Sequence, residues 1–329
     1  MNPLTAEQIA AYKAAVPTAT ENEPMAKHTS FRVGGPARLY VVAPSSDAIV
    51  QAVHAAMNLQ IPWYVYGGGS NLLVSDDGFA GVIIQAANRE IRIMNHESRI
   101  MVEAGAITAM VARQSVEAGL TGFEWAIGVP GTIGGAVYGD AGCYGGEMKD
   151  VVETVDAFRL RDKQRVTLTN EQCRFGYRTS LFKHEPHLIF SCILKLKACT
   201  DQAASKTRME EIMATRKEKQ PLASSSAGCV FKNFEFTDEK DLEILKRELE
   251  VPPGMIEKKQ ISSGWLIEQA GLMGKSVGDV EVSKKHGNFF INKGKARAQD
   301  ILALISLVKM KIRDDLGIEL QEEVQYVGF

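Results

Sequence analysis

Two glycine-rich stretches hold the residues whose types and spacing point most directly to chemistry. Residues 119–147, GLTGFEWAIGVPGTIGGAVYGDAGCYGGE, are about one-third glycine, yet they also carry Phe123, Trp125, Ile127, Val129, Ile133 and Val137. A flexible linker does not hold so many large apolar groups. Glycines set between apolar anchors describe a folded backbone brought close to something, with main-chain N–H groups turned toward it. Residues 63–74, WYVYGGGSNLLV, run an apolar strand into three glycines followed by Ser70 and Asn71. Consecutive glycines let successive N–H groups form an anion-binding nest, and Ser70 and Asn71 can add side-chain donors. The chemistry expected is the grip of a phosphate-bearing cofactor. The alternative for residues 119–147 is a set of tight turns in a β-rich core. Neither loop fits G-x-G-x-x-G, and no G-x-x-x-x-G-K-[ST] occurs, which disfavours a Rossmann fingerprint and a P-loop. Two glycine loops about sixty residues apart can instead grip a pyrophosphate from two sides.

The elements that must position these loops follow from periodicity. A helix is expected over residues 5–16, with Thr5 and Gln8 forming a capping box. A polar run, residues 18–27, separates it from a strand at 38–42. Ser45 or Ser46 caps a helix to about Asn58, and strands at 63–66 and 81–85 complete a strand–helix–strand–strand unit. A strand at 99–104 and a helix at 108–117, closed by Gly119, lead into the glycine-rich stretch. Strands at 151–160 and 188–196 follow, then a charged helix at 201–219. The last third mixes helices at 238–250 and 298–316 with strands near 229–231, 280–282, 288–292 and 319–326. The fold class is α/β plus α+β. The domains expected are an N-terminal helix and lead-in (1–24), a cofactor-binding domain (25–200, with subdomains of about 25–86 and 87–200) and a further domain at 201–329.

Composition narrows the function classes. The chain has 329 residues, 45% apolar and 24% charged, which suits two or three domains with their own cores. A net charge of -2 leaves no polyanion footprint, so nucleic acid is not an expected partner. Five scattered cysteines without a C-x-x-C pair argue for a reducing compartment, against a disulfide framework and against a metal site. The N-terminus lacks the order of a signal peptide, and the most apolar helix candidate, residues 301–310, is too short to span a bilayer. A cytoplasmic location without membrane insertion is expected.

GGGSNLL followed by GVPGTIGGAVYGDAGCYGGE resembles the flavin-binding fold of the vanillyl-alcohol-oxidase and p-cresol-methylhydroxylase type. More narrowly, the chain resembles the UDP-N-acetylenolpyruvoylglucosamine reductases, flavoenzymes of peptidoglycan precursor synthesis. HTSFRVGG, FGYRTSLFK, SSSAGCVFKN, GWLIEQAGLMGKSVGDVEVSKKHGNFFIN and LQEEVQYVG extend the match over almost the whole chain after residue 25. The resemblance implies non-covalent FAD between the first two subdomains, substrate on the third and NADPH as hydride donor. No His or Cys lies in residues 66–73 to carry a covalent flavin link. FAD contacts carry over onto Tyr66, Gly67, Gly68, Gly69, Ser70, Asn71 and Leu72, onto Gly128, Val129, Pro130, Gly131, Thr132, Gly134 and Gly135, and onto Ala141 and Gly142. The short spacing between Arg178 and Cys229 resembles the branch without a tyrosine-bearing insertion loop.

The chemistry so implied is reduction of an enol ether carrying a carboxylate. Hydride delivered to the terminal methylene carbon leaves negative charge on the neighbouring carbon, spreading into the carboxylate. Such a reaction needs a fixed cation, a partner for the acid enolate and a proton donor. The resemblance assigns these to Arg178, Glu323 and Cys229. A guanidinium holds a carboxylate in bidentate fashion and never loses its charge. Glu322 is the neighbouring competitor of Glu323, and the proline usual between the two glutamates of the family is absent. Cys229 stands where many members carry serine. A thiol, with a reference pKa near about 8.5, is a stronger acid than a hydroxyl, so the exchange is chemically coherent, although beside a cation the thiol can ionise and then cannot donate.

Lys232, Asn233, Arg216, Gln269 and Tyr138 are the substrate-binding candidates, with the sugar or the diphosphate near Lys232 and Asn233 and the diphosphate near Arg216. Phe234 replaces the proline usual after the asparagine. Each has a bland alternative: Arg216 lies on a charged helix whose residues are commonly just solvated. The partners expected are a UDP-sugar and NADPH, with no obligate protein partner. Two rival functions are an oxidase or dehydrogenase of the same flavin fold acting on an alcohol or sugar, and a non-catalytic nucleotide-sugar-binding protein.

Overall fold

The computed structural model describes residues 3–94 and 97–329. Its contacts group into two compact units. The first takes the chain up to Glu23, Ala37–Gly69 and Phe79–Arg216, and the second takes Pro24–Pro36, Ser70–Gly78 and Lys217–Phe329. The sequence reading divides the chain near residue 200, whereas the units interleave, with two short N-terminal segments joining the C-terminal third.

In the first unit, strands Pro36–Ala43, Phe79–Ala86 and Trp63–Tyr66 pair in parallel, with Thr20–Pro24 on the outer edge. Parallel neighbours need a crossover. The helix Ser46–Asn58 supplies one, capped by the Ser45 hydroxyl, and buries Ile49, Ala52, Val53 and Ala56 with Leu39, Val41, Val82 and Ile84. The capping box of Thr5 and Gln8 starts the first helix, Ala6–Ala15, as expected. A second, antiparallel sheet runs Gln164–Thr169, Val152–Arg159, His187–Lys195, Arg99–Glu103 and Ile91–Met94. The helix Thr108–Glu117 packs Val111, Ala112 and Val116 into its core, and Gly119, at φ +76°, closes it.

The second unit is organised on the helix Ala298–Leu316. Ile301, Leu304, Ile305, Val308 and Ile312 recur at helical spacing and are buried among Phe231, Leu266, Val282 and Phe290. Each such side chain stabilises the fold by roughly 1.5–3 kcal/mol. Around it lie a three-stranded sheet (Ser276–Val277, Val280–Val282, Phe290–Asn292) and a parallel pair of Leu72–Val74 with Gln325–Val327.

Four local expectations need correction. The polar run at 18–27 contains the strand Thr20–Pro24. The helix expected at 238–250 is a 3-10 turn, Glu239–Leu242, and a short helix, Glu243–Glu248, which ends at an extended Leu249 before a further short helix begins at Pro253. The glycine-rich stretch contains the helix Ile133–Gly139. Residues 229–231 and 319–326 form isolated bridges, Cys229 with Phe289 and Phe231 with Glu322, and only Gln325–Val327 is a strand. At Phe231 the Asn288 side chain accepts from the amide at 2.9 Å and donates to the carbonyl at 2.8 Å, so this residue's main-chain groups pair with a side chain and not with a ladder.

Candidate active site

In the first unit the two glycine loops meet. A Cβ on Gly67 would lie 2.0 Å from Thr132 Oγ1, and one on Gly68 would lie 3.0 Å from the Gly131 Cα. Only glycine allows this approach. Gly69 and Gly131 take positive φ, +65° and +95°, which turns the backbone at both loops. The Thr132 hydroxyl is buried at this junction without a hydrogen-bond partner among the described residues. A buried hydroxyl left unpaired is costly unless a ligand completes it. Glycine backbone on one side and an unsatisfied donor on the other fit the pyrophosphate of FAD. Gly67→Ala is therefore expected to destabilise the unit by about 1–3 kcal/mol and to strip flavin from the purified protein. Flavin absorbance after gel filtration and the thermal midpoint check this.

Not every residue in the loops faces a ligand. The Tyr66 hydroxyl pairs with Tyr40 at 2.9 Å, and Tyr40 donates to Gln85 at 3.0 Å. Burial pushes the Tyr66 phenol well above its ordinary value, so its side chain is core and only its backbone can serve the loop. Gly134 donates its amide to Ala104, and a Cβ there would meet the Ala104 Cβ at 2.8 Å. Its glycine is explained by packing. Val129 is buried, while Pro130 and Gly135 are exposed. Gly128 lies under Arg216, whose Nη1 would stand 2.9 Å from an added Cβ.

Arg178 occupies a two-residue turn closed by Gly176 and Thr179, at φ +54°. A left-handed arginine costs backbone energy, of the kind found at functional sites. Its guanidinium donates to the carbonyls of Gly142 at 2.9 Å and Asp140 at 3.4 Å and lies over the Tyr177 ring, 5.1 Å from its centroid. Lys183 donates to the Arg178 carbonyl at 2.8 Å and its ammonium lies 5.6 Å from the centroid of the Tyr138 ring. Ser180 donates to the Tyr138 carbonyl at 2.7 Å. Arg178, Tyr138, Ala141 and Gly142 are thus brought together. Ala141 donates its amide to Ala136 and accepts from Met148, so it holds the loop whose next carbonyl receives Arg178.

Sequence reasoning missed Lys183, although it ends the FGYRTSLFK motif, and Asp140. Asp140 is fully buried and left-handed at φ +43°. Its Oδ1 accepts from the Lys149 amide at 2.9 Å, and its Oδ2 has no hydrogen-bond partner among the described residues. Burial raises its carboxyl from 3.8 to about 6, with Glu147 adding to the rise and Lys149 and Arg178 opposing it. The folded state therefore disfavours the ionised form. The penalty is absent below the unfolded value of 3.8, grows between the two values and is fully present above about 6. Asp140→Asn, which tolerates the left-handed backbone, is expected to gain about 1–3 kcal/mol at pH 8 and little at pH 4. Denaturant midpoints at the two pH values measure it.

In the second unit, Cys229 and Glu323 are brought together by backbone. Cys229 is half-buried and bridges to Phe289, and its neighbour Val230 accepts the Glu323 amide at 2.8 Å. Glu322 is taken by Lys309, at 2.9 Å. That separates the two adjacent glutamates. The Asn71 side chain donates to the Glu323 carbonyl at 3.0 Å rather than standing open for a ligand, and Leu72 is a buried strand residue beside Gln325. Ser70 is half-buried at the start of this segment. Asn233 accepts from the Ser263 amide at 3.2 Å and donates to Gln260 at 3.2 Å, and the Lys232 carbonyl accepts from the Ser263 hydroxyl. Both anchor the helix Ser263–Gln269. Gln269 is exposed at its end. No helix among the described residues is long and apolar enough to cross a membrane.

Residues 37–165 match the family described as an FAD binding domain, and residues 220–327 match the C-terminal domain of UDP-N-acetylenolpyruvoylglucosamine reductase. The chain is similar to the UDP-N-acetylenolpyruvoylglucosamine reductase of Caldanaerobacter subterraneus subsp. tengcongensis, 37% identical over 93% of each chain. It is also similar to that of Chloroflexus aurantiacus, 39% identical over 93% of this chain and 96% of the relative. Among solved structures, the reductase (MurB) from Thermus caldophilus superposes with a TM-score of 0.71 at 31% identity, covering 94% of this chain and 98% of that one.

Proposed function

Because the chain belongs to the family of UDP-N-acetylenolpyruvoylglucosamine reductases, we propose that it reduces the enolpyruvyl group of UDP-N-acetylenolpyruvoylglucosamine to give UDP-N-acetylmuramate for peptidoglycan synthesis. It is an FAD-dependent oxidoreductase. The observation that carries the reading is the junction of Gly67 and Gly68 with Gly131 and Thr132 around an unpartnered buried hydroxyl, which suits a pyrophosphate. The amides of residues 67–70, of Gly131 and of Thr132, with the Thr132 hydroxyl, would hold the cofactor, whose chemistry is to take hydride from NADPH and pass it to the terminal methylene carbon.

The roles of this chain's own residues follow from the charge that then develops. Arg178 binds the substrate carboxylate, and its guanidinium retains its positive charge throughout. Glu323 shares a hydrogen bond with the acid enolate. Cys229 donates the proton to the carbon beside the carboxylate. Tyr138, Arg216, Lys232, Asn233 and Gln269 contribute to the UDP-sugar, the exposed Gln269 and the half-buried Arg216 through side chains and Asn233 mainly by setting the Ser263–Gln269 helix. The C-terminal unit is the substrate-binding part. The enzyme works in the cytoplasm with NADPH and the UDP-sugar, and with no obligate protein partner.

Purified, flavin-loaded protein is expected to oxidise NADPH beyond one equivalent per flavin only when the enolpyruvyl UDP-sugar is present, and to yield a UDP-sugar heavier by two hydrogens. NADPH oxidation independent of the sugar, with oxygen consumed, would place the chain among oxidases instead.

A further inference from the structure

The peptide planes on both sides of Glu323 are held by named partners. Its amide donates to the Val230 carbonyl at 2.8 Å, which holds the plane before the residue. Its carbonyl accepts two side-chain amides, Asn71 Nδ2 at 3.0 Å and Gln325 Nε2 at 2.9 Å, which hold the plane after it. A carbonyl oxygen has two lone pairs, so both are taken. With planar peptides fixed on each side of the Cα, φ and ψ have no freedom left, and the direction of the Glu323 side chain is set. Asn71 is itself held, because its carbonyl accepts the Gln325 amide at 2.9 Å and Leu72 pairs in parallel with Gln325. The same Val230 carbonyl is one residue from Cys229, so the arrangement also sets the register of Glu323 against Cys229.

We infer that Asn71, assisted by Gln325, is a positioning residue for Glu323: its side-chain amide serves the acid rather than the flavin. The inference rests on the reading of Glu323 as the partner of the acid enolate. It explains why an asparagine follows the glycines of residues 67–69. A short planar amide on that segment reaches the Glu323 carbonyl while its own backbone pairs with Gln325. A displacement of about 1 Å at a reacting group can cost on the order of a hundredfold in rate, so loosening this peptide is felt in the step that uses Glu323 and not in flavin reduction.

The test separates the two half-reactions of the flavin-loaded enzyme by anaerobic stopped flow. Asn71→Ala is expected to keep its flavin and to be bleached by NADPH within about twofold of the parent rate, but to recover colour with the enolpyruvyl UDP-sugar roughly ten- to a hundredfold more slowly. Gln325→Leu, outside the glycine loops, is expected to slow recovery in the same direction by about threefold or more. In a Glu323→Ala background, adding Asn71→Ala should change recovery by less than about twofold, because both changes act on one interaction. Loss of flavin from Asn71→Ala, or equal slowing of both half-reactions with Gln325→Leu silent, would overturn the inference and make Asn71 a cofactor ligand. If Asn71→Ala does not fold, the Gln325→Leu and Glu323→Ala pair decides the same question. Failure of the underlying reading looks different: Glu323→Ala alone would then leave recovery at the parent rate.

Discussion

Cys229→Ala is expected to be bleached by NADPH at the parent rate and to recover colour with the enolpyruvyl UDP-sugar about 10²–10⁴-fold more slowly, the usual cost of removing a positioned proton donor. Cys229→Ser should retain turnover, because a hydroxyl keeps one transferable proton on an equally short side chain. The site explains why this substitution pair is informative. The neighbours of Cys229 in the chain are fixed by main-chain bonds: Val230 donates to the Asn288 carbonyl at 2.9 Å and accepts from Glu323 at 2.8 Å, and Phe231 is clamped by the Asn288 side chain. None of these bonds uses the Cys229 side chain, so the backbone path should survive both changes. Stopped-flow traces of the two half-reactions provide the measurement. Unimpaired recovery in the alanine variant would remove Cys229 from the chemistry.

Arg178→Lys should lower kcat/KM for the UDP-sugar roughly 30- to 100-fold while leaving the rate of NADPH bleaching unchanged, as expected from losing about 2–3 kcal/mol of charge-assisted hydrogen bonding. A lysine keeps the charge but not the fork that can hold the Gly142 carbonyl and meet a carboxylate at once. It also loses the guanidinium contact over the Tyr177 ring. The expected split, a loss in the sugar step alone, distinguishes a substrate-binding cation from a residue that merely holds the turn. Equal loss in both half-reactions would point to the latter. Saturation kinetics with the sugar varied and single-turnover bleaching measure the two terms.

The helices and strands that depend on local signals were legible in the chain. Thr5 with Gln8, Ser45, and Gly119 set their helix ends as capping chemistry requires. Both glycine loops were visible because three consecutive glycines, and glycines among apolar anchors, have few other uses. The helix Ile133–Gly139 was hidden by the same glycines. Their low helix propensity is overcome by packing against Ala104 and by amides that donate to Ala104 and Ala106. The strand expected at 229–231 is reduced to bridges, with Asn288, far along the chain, supplying its side chain to Phe231 in place of a ladder partner. Asn71 was read as a ligand donor because its partner Glu323 lies 252 residues away. Asp140 and Lys183 gave no periodic signal, and their meaning comes from the Arg178 turn they support.

Anaerobic titration of the yellow, flavin-loaded protein tests the central assignment most directly. NADPH should bleach the flavin band, and stoichiometric addition of UDP-N-acetylenolpyruvoylglucosamine should restore it in the absence of oxygen. Bleaching that the enolpyruvyl UDP-sugar cannot reverse, or a purified protein that binds the sugar but carries no flavin, would contradict the account.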